Sequence, residues 1–177
     1  QLNHEESAND SARETAELLA EGMTQRMASE LVQLLHQPDY RVRLEAQLEL
    51  MSRGESSIGA LGELARSTSA TKPRVHAVWA LTHLHDAQTL LALLHDSDAE
   101  IRAQAAKGIG EIGGAGGDQL IKLLQDPSHR VKFFAAQSLG KLKNLGSAAA
   151  LIQLLRENKD QDRFLRHAAT FALGKVA

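Results

Sequence analysis

The sequence predicts an all-α fold, a right-handed α-solenoid built from about five helical hairpins. Three observations predict it: a leucine-rich pentad recurs five times, an amphipathic segment with a basic residue follows each pentad, and Phe, Trp and Tyr make up 3% of the residues. A period of about thirty residues is typical of hairpins that bury their apolar faces against one another. A core of Leu, Ala, Val and Ile also suits closely spaced helices better than a β-sandwich.

The first 23 residues lie outside the repeat, and residues 11–21 read as a polar, acidic helix. We expect this segment either to cap the array, because the terminal units of repeat proteins carry a polar outer face, or to be the remnant of a preceding helix. The repeat array is predicted over residues 24–177, with repeats at approximately 24–53, 54–85, 86–114, 115–143 and 144–177.

The pentads predict the first helix of each hairpin, here named the A helix. Their first residues are 30, 29, 30 and 31 positions apart, a regularity that is hard to obtain by chance. The pentads occupy residues 31–35, 61–65, 90–94, 120–124 and 151–155.

A basic residue followed by Ala three positions later and by Leu or Ile seven positions later predicts the second helix, the B helix. Positions −1, +3, +7 and +10 from the basic residue share one side of a 3.6-residue period, so the segment faces a core. In four hairpins an Asp or Ser stands at position −4, where its oxygen can cap the helix. The basic residues are Arg43, Arg74, Arg102, Lys132 and Arg166, and the capping residues are Asp39, Asp98, Ser128 and Asp162.

Composition removes several classes of function. With no cysteine, the chain can form no disulfide, thiolate-ligated metal site or C-x-x-C-H haem attachment. A net charge of −2 argues against a general electrostatic affinity for nucleic acid. The sequence has neither an apolar stretch long enough to predict a membrane span nor a signal peptide at its start. Since the chain opens with Gln1 and stops inside an apolar helical pattern, we expect a processed protein or an excised fragment.

The motifs that could carry chemistry have simpler explanations. Residues 108–113 match G-x-G-x-x-G, but they close a predicted helix, whereas a dinucleotide site opens one after a strand. His76 and His83 share a helix face, but no Asp or Glu stands beside them at the spacing of metal ligands. No Ser stands in a nucleophile elbow. We therefore expect no catalytic residue, no metal site and no cofactor in this segment.

One face of each B helix points away from the core, and in a solenoid this face is the concave one. Positions +2, +5 and +9 lie on it, and Trp79 and Phe134 are large apolar residues where the pattern expects polar ones. A Trp on such a face either anchors a partner or covers the seam with the neighbouring B helix. The candidate partner-binding residues are His76, Trp79, His83, Lys107, Phe134, Gln137 and Lys141.

Residues 38–46, 98–106 and 127–140 resemble HEAT repeats of the short kind found in bacteria. The resemblance covers about residues 24–177 and implies an armadillo-like scaffold that binds a protein or peptide. It also implies that the basic column pairs with acidic residues of the A–B turns as a ladder between repeats, the alternative being a track for phosphates or an acidic partner. The ladder residues would be Arg43, Arg74, Arg102, Lys132 and Arg166 with Asp39, Asp98, Asp126 and Asp162.

Residues 38–43 and 74–81 are also similar to the HEAT segment of planctomycete-type exported proteins. In those proteins a sorbosone-dehydrogenase-like propeller precedes the repeats and a c-type cytochrome follows them. This second resemblance implies a spacer in an exported, haem-dependent redox protein; without it, a cytoplasmic location is the expectation. The leading hypothesis is a non-catalytic scaffold that binds a protein or peptide on the concave B-helix face. The alternatives are that spacer and a HEAT-type lyase or nucleic-acid-binding protein.

Overall fold

The computed structural model describes residues 2–68 and 70–176, with side chains from residue 10 onward, and every regular element within those residues is helical. Helix α1 (Leu2–Glu21) precedes the hairpins and packs on the first B helix. It is longer than the helix that the sequence predicts over residues 11–21.

Five hairpins follow α1, each made of a short A helix and a longer B helix. Turns of 3₁₀ helix, Gly54–Ser57 and Leu145–Ser147, lead into the second and fifth A helices. The A helices are α2 (Ala28–Leu34), α4 (Ile58–Arg66), α6 (Ala87–Leu93), α8 (Gly117–Leu123) and α10 (Ala148–Asn158). The B helices are α3 (Tyr40–Ser52), α5 (Thr71–His83), α7 (Ala99–Ile112), α9 (His129–Lys141) and α11 (Arg163–Val176).

Each A helix packs on the B helix of its own hairpin, and each B helix packs on the next B helix. The core runs along this stack. It consists of the first leucine of every pentad and the alanine at +3 of every B helix, all with no exposed surface. These residues are Leu31, Leu61, Leu90, Leu120 and Leu151 with Ala46, Ala77, Ala105, Ala135 and Ala169. The α-solenoid predicted from the sequence is therefore confirmed, whereas the repeat limits and the role of residues 1–23 stay predictions.

Neighbouring B helices approach closely because small residues meet at positions +8 and +6. Gly110 at +8 of α7 faces Ser138 at +6 of α9, and Gly140 at +8 of α9 faces Ala172 at +6 of α11. A Cβ atom on Gly140 would lie 2.8 Å from the Cα atom of Ala172, closer than carbon atoms approach one another. Gly174 holds the same +8 position on α11, and no described atom lies within 4 Å of the place its Cβ would take.

Four B helices end at a residue in the left-handed conformation, eleven positions after the basic residue. It is glycine in two hairpins, at Gly54 (φ 64°) and Gly113 (φ 84°), and a residue with a side chain in two others, at His85 (φ 58°) and Lys143 (φ 50°). A left-handed residue is the usual way to stop a helix. The G-x-G-x-x-G motif therefore belongs to the end of α7 and the turn after it.

Candidate functional site

The B-helix face carries the residues that the sequence proposes for partner binding. Trp79 is 41% exposed, and His83 and Lys141 are also exposed on this face. Lys107, Phe134 and Gln137 are partly buried. Six of the seven candidate side chains are therefore at least partly accessible, and the seventh, His76, is not.

His76 is 4% exposed, which corrects its expected place on the accessible face. Its Nδ1 lies 2.7 Å from Oε1 of Gln47, and its Nε2 accepts a hydrogen bond of 3.1 Å from Nε of Arg43. Because Arg43 can only donate, the ring carries its proton on Nδ1 and is neutral. Burial, followed by the positive charge of Arg43, lowers the pKa of His76 to about 4. Helical position alone misplaced this residue because the α3 side chains and Trp79 close over it.

Trp79 is held in one orientation from two sides. Its indole ring meets the ring of His76 edge to face, with centroids 5.2 Å apart, and its Nε1–H donates to Oε1 of Gln104 at 2.9 Å. These contacts still leave much of the indole surface in solvent. The side chain is thus ordered before any partner arrives, which lowers the entropy cost of binding.

A groove of about 370 Å³ opens beside Trp79 between α3, α5 and α7. Its chemistry is mixed: a thioether from Met51, imidazole from His83 and the charged pair Lys107 and Glu111. The lining residues are Gln47, Met51, Trp79, Thr82, His83, Lys107 and Glu111.

Glu111 lies between two lysines at one end of this groove. Its Oε1 atom is 3.6 Å from Nζ of Lys107 and 3.8 Å from Nζ of Lys141. One carboxylate therefore serves two ammonium groups from successive B helices, so the trio keeps a net positive charge. Each contact is long and exposed, and such pairs add little stability.

A hydrogen-bonded chain continues from Trp79 across the next two repeats. Nε2 of Gln104 donates to Oε1 of Glu100 at 2.7 Å, and Arg130 donates to both oxygens of Glu100 at 2.6 and 3.0 Å. The guanidinium of Arg130 in turn lies over the ring of Phe134, 5.0 Å from its centroid. Glu100, Gln104 and Arg130 were missed from the sequence. Their spacing could have indicated the contact, because Glu100 and Gln104 are four residues apart and therefore lie on the same face of α7.

The proposed ladder of basic and acidic residues is present over two rungs. Nε and Nη2 of Arg102 donate to both carboxylate oxygens of Asp126 in the next repeat, at 2.8 and 3.0 Å. Arg74 pairs with Asp96 of the next repeat and donates to the carbonyl of Ala65 at 2.9 Å. Both arginine side chains are largely buried. Each rung thus joins one hairpin to the A–B turn of the next.

Asp126 is the best defined acid of the ladder. Burial would raise the pKa of its carboxyl, but the hydrogen bonds from Arg102 and from the N–H of Ser128 outweigh burial and hold the pKa below its ordinary value. The same hydrogen bond to Asp126 raises the pKa of Arg102. Both groups are therefore charged at neutral pH.

Three of the expected ladder acids are helix caps instead. Asp39, Asp98 and Asp162 each accept from a backbone N–H two residues later, at 2.8 to 2.9 Å. Asp98, whose pKa is lowered first by a hydrogen bond from Thr71, stands two residues after Asp96, and it is Asp96 that reaches Arg74. The turn residue six positions after the first pentad leucine is Asp96 in one repeat and Asp126 in the next, which is the signal that identifies the rungs.

The other three basic residues of the column do not pair as expected. Arg43 donates to the carbonyls of Gln37 and Pro38 at 2.7 and 2.6 Å, and to His76. Arg166 lies 3.2 Å from Asp160 of its own hairpin and is half exposed. Within the described residues Lys132 makes no ion pair. The ladder thus spans the second to fourth hairpins only.

No group of three or more His, Asp or Glu side chains that could hold a metal ion occurs among the described residues. No helix in the same residues is long and apolar enough to cross a membrane. The predicted absence of catalytic and cofactor residues stays a prediction.

Comparison with known proteins finds one matching family model and several solved structures with a similar fold. Residues 87–174 match a family model described as HEAT repeats. A chain from the complex of CpcE and CpcF of phycocyanin lyase from Nostoc sp. PCC7120 is similar, with a TM-score of 0.67 and 18% identity, over 82% of this chain and 96% of that chain. No curated protein matches the chain.

Two further solved structures show the same architecture. A designed armadillo repeat protein in complex with the peptide (KR)4 has a TM-score of 0.54 and 22% identity, over 85% of this chain and 82% of that chain. An engineered protein has a TM-score of 0.51 and 19% identity, over 84% of this chain and 78% of that chain. At these identities the likeness shows the fold alone. Together with the family match, it identifies the chain as an α-solenoid in which residues 87–174 form HEAT repeats.

Proposed function

We propose that this chain is a non-catalytic scaffold that binds a protein or peptide on its B-helix face, with Trp79 as the central anchor. The observation that carries the proposal is the state of Trp79: it is 41% exposed, yet its indole is held by His76 and Gln104 beside an open groove. Interfaces draw most of their affinity from a few such aromatic residues. Support from related structures is limited to the complex between CpcE and CpcF and to the peptide bound by the designed armadillo protein.

The experiment is a selection of binding peptides from a random library, followed by affinity measurement on variants. Trp79→Ala should weaken the selected peptides by about tenfold or more, the size expected for an interface hot spot. Ile152→Ala is the matched control, because Ile152 is also 41% exposed but lies on the A helix α10. The melting temperature of both variants should stay near that of the parent.

Trp79 also provides the readout, since it is the single tryptophan of the chain. Peptides that occupy the groove should shield it from quenching by acrylamide. If selected peptides bind the Trp79→Ala variant as tightly as the parent, the anchor is elsewhere. If Trp79→Ala instead lowers the melting temperature as strongly as a core substitution does, the residue serves the fold.

A lyase role is the second candidate, because the similar chain of TM-score 0.67 comes from a phycocyanin lyase complex. A lyase would change the covalent state of a substrate protein, whereas a scaffold binds its partner and releases it unchanged. Mass spectrometry of a bound partner before and after incubation separates the two. The role of spacer within a larger redox protein stays a hypothesis from the sequence alone.

A further inference from the structure

The last two B helices, α9 and α11, differ in charge from the remainder of the chain. Residues 127–177 contain nine Lys and Arg against three Asp and Glu, a net charge of +6 in a chain whose total is −2. Neither α9 nor α11 contains an acidic residue, and the two helices hold all four phenylalanines of the chain. The surface they form, here named the basic–aromatic patch, consists of Arg130, Phe134, Arg163, Phe164, Phe171 and Lys175.

Cations and aromatic rings are paired throughout the basic–aromatic patch. Besides Arg130 on Phe134, the guanidinium of Arg163 lies 4.8 Å from the centroid of Phe164, and Nζ of Lys175 lies 5.6 Å from that of Phe171. Phe164 is 62% exposed and Phe171 is 46% exposed. Cations in such positions are held in place by the ring beneath them while their hydrogen-bond donors stay available.

Arg130 shows what these pairs bind. It receives the carboxylate of Glu100 through two hydrogen bonds while its guanidinium remains over Phe134. Arg163 and Lys175 have the same support from a ring, but neither makes an ion pair within the described residues. Both cations are therefore open to a carboxylate from another molecule.

A hollow of about 300 Å³ lies between the Arg130 and Phe164 ends of the patch. Its walls include the rings of Phe133 and Phe164 and the side chain of Leu165. His129 and Asp162 also line it, and Asp162 is already paired with His129 at 3.1 Å. The hollow suits an apolar side chain. Phe164 and Phe171 are seven residues apart on α11, or about 10 Å along the helix axis, so an extended segment of about four residues spans the distance between the two rings that carry the unpaired cations.

We infer that the basic–aromatic patch binds an acidic peptide segment of a partner protein, with carboxylates on Arg163 and Lys175 and an apolar side chain in the hollow. This inference rests on the proposed scaffold function and specifies the chemistry of the partner at the fifth hairpin. A single-stranded nucleic acid would also meet cations and rings here. It is disfavoured because bases stack on open ring faces, whereas Arg130, Arg163 and Lys175 already cover a face of their rings.

The test uses a fluorescein-labelled peptide in which four Glu and two Leu are spaced by Gly and Ser. Fluorescence anisotropy should show binding that weakens with added salt. The counterpart with Gln in place of Glu, and the basic peptide (KR)4, should bind at least about fivefold more weakly. Removing both unpaired charges, in the Arg163→Gln, Lys175→Gln variant, should lower affinity for the acidic peptide about fivefold to tenfold.

The matched control is the variant Lys122→Gln, Arg156→Gln, which removes the same two charge types from exposed positions on the A helices α8 and α10. If both double variants lose the same affinity for the acidic peptide, the effect comes from net charge alone and the inference is overturned. Equal affinity for the Glu and Gln peptides would also overturn it. The same holds if a deoxythymidine oligomer binds more tightly than the acidic peptide and the Arg163→Gln, Lys175→Gln variant abolishes that binding. Peptides that need Trp79 but show no preference for Glu would overturn the acidic partner and leave the scaffold function in place.

Discussion

The close approach of successive B helices makes opposite predictions for two glycines at the same +8 position. In Gly140→Ala the new methyl group would lie 2.8 Å from Cα and 3.2 Å from Cβ of Ala172, so backbone has to move. Overpacking of this kind costs about 1–3 kcal/mol, and the better helix propensity of alanine offsets about 1 kcal/mol of it. We expect Gly140→Ala to lower the free energy of unfolding by up to about 2 kcal/mol.

Gly174→Ala is the matched control on α11. No described atom lies within 4 Å of the new methyl group, so the gain in helix propensity is not opposed by a clash. The free energy of unfolding should rise by about 0.5–1 kcal/mol.

Circular dichroism at 222 nm, followed against temperature and urea, measures both variants. For a chain of this size 1 kcal/mol corresponds to about 2–4 °C in melting temperature, so the variants should move apart by several degrees in opposite directions. Shifts of the same sign and size in the two variants would refute the interlocking of positions +8 and +6.

Two other predictions concern buried imidazole and helix ends. The pKa of His76 is lowered to about 4, so protons bind the unfolded chain more readily than the folded one between pH 6.5 and 4. The free energy of unfolding should therefore fall by at most about 3 kcal/mol as the pH drops through this range. In urea titrations at pH 7 and pH 5, His76→Gln should remove this fall. His85→Gly and Lys143→Gly should each raise the free energy of unfolding by about 0.5–1 kcal/mol, because a side chain in the left-handed conformation is strained, whereas Gly113→Ala should lower it by about 1 kcal/mol. Thermal melts of the three variants check both signs.

The fold was accessible from the sequence because its signal is repeated. The pentad leucines and the +3 alanines recur about every thirty residues, and a pattern that appears five times arises by chance far less often than a single match. The structure buries all ten of these residues completely. Three of the four predicted capping residues, Asp39, Asp98 and Asp162, accept backbone hydrogen bonds, since a capping oxygen acts on backbone only two or three residues away. The prediction was wrong for the hydroxyl of Ser128, which makes no capping hydrogen bond.

The site was less accessible because it depends on contacts between repeats. Asp96 and Asp98 stand two residues apart in one turn, and only the equivalence of Asp96 with Asp126 of the next repeat indicates which of them faces Arg74. His76 occupies a position that helical periodicity assigns to solvent, but Gln47 and Arg43 of the preceding hairpin surround it. A helical wheel describes one helix, whereas burial on this face is decided by its neighbours.

The uneven ladder gives the array a stiffness that changes along its axis. Guanidinium–carboxylate clasps join the second hairpin to the third and the third to the fourth. At the fourth junction Lys132 has no such clasp within the described residues, and the helices meet there through Gly140 and Ala172 and through the exposed pair His129 and Asp162. The first junction has no such clasp either, since Arg43 there donates to the imidazole of His76. The array should therefore bend more readily at its two ends than through its clasped middle, and the end hairpins can tilt to follow the contour of a docked molecule.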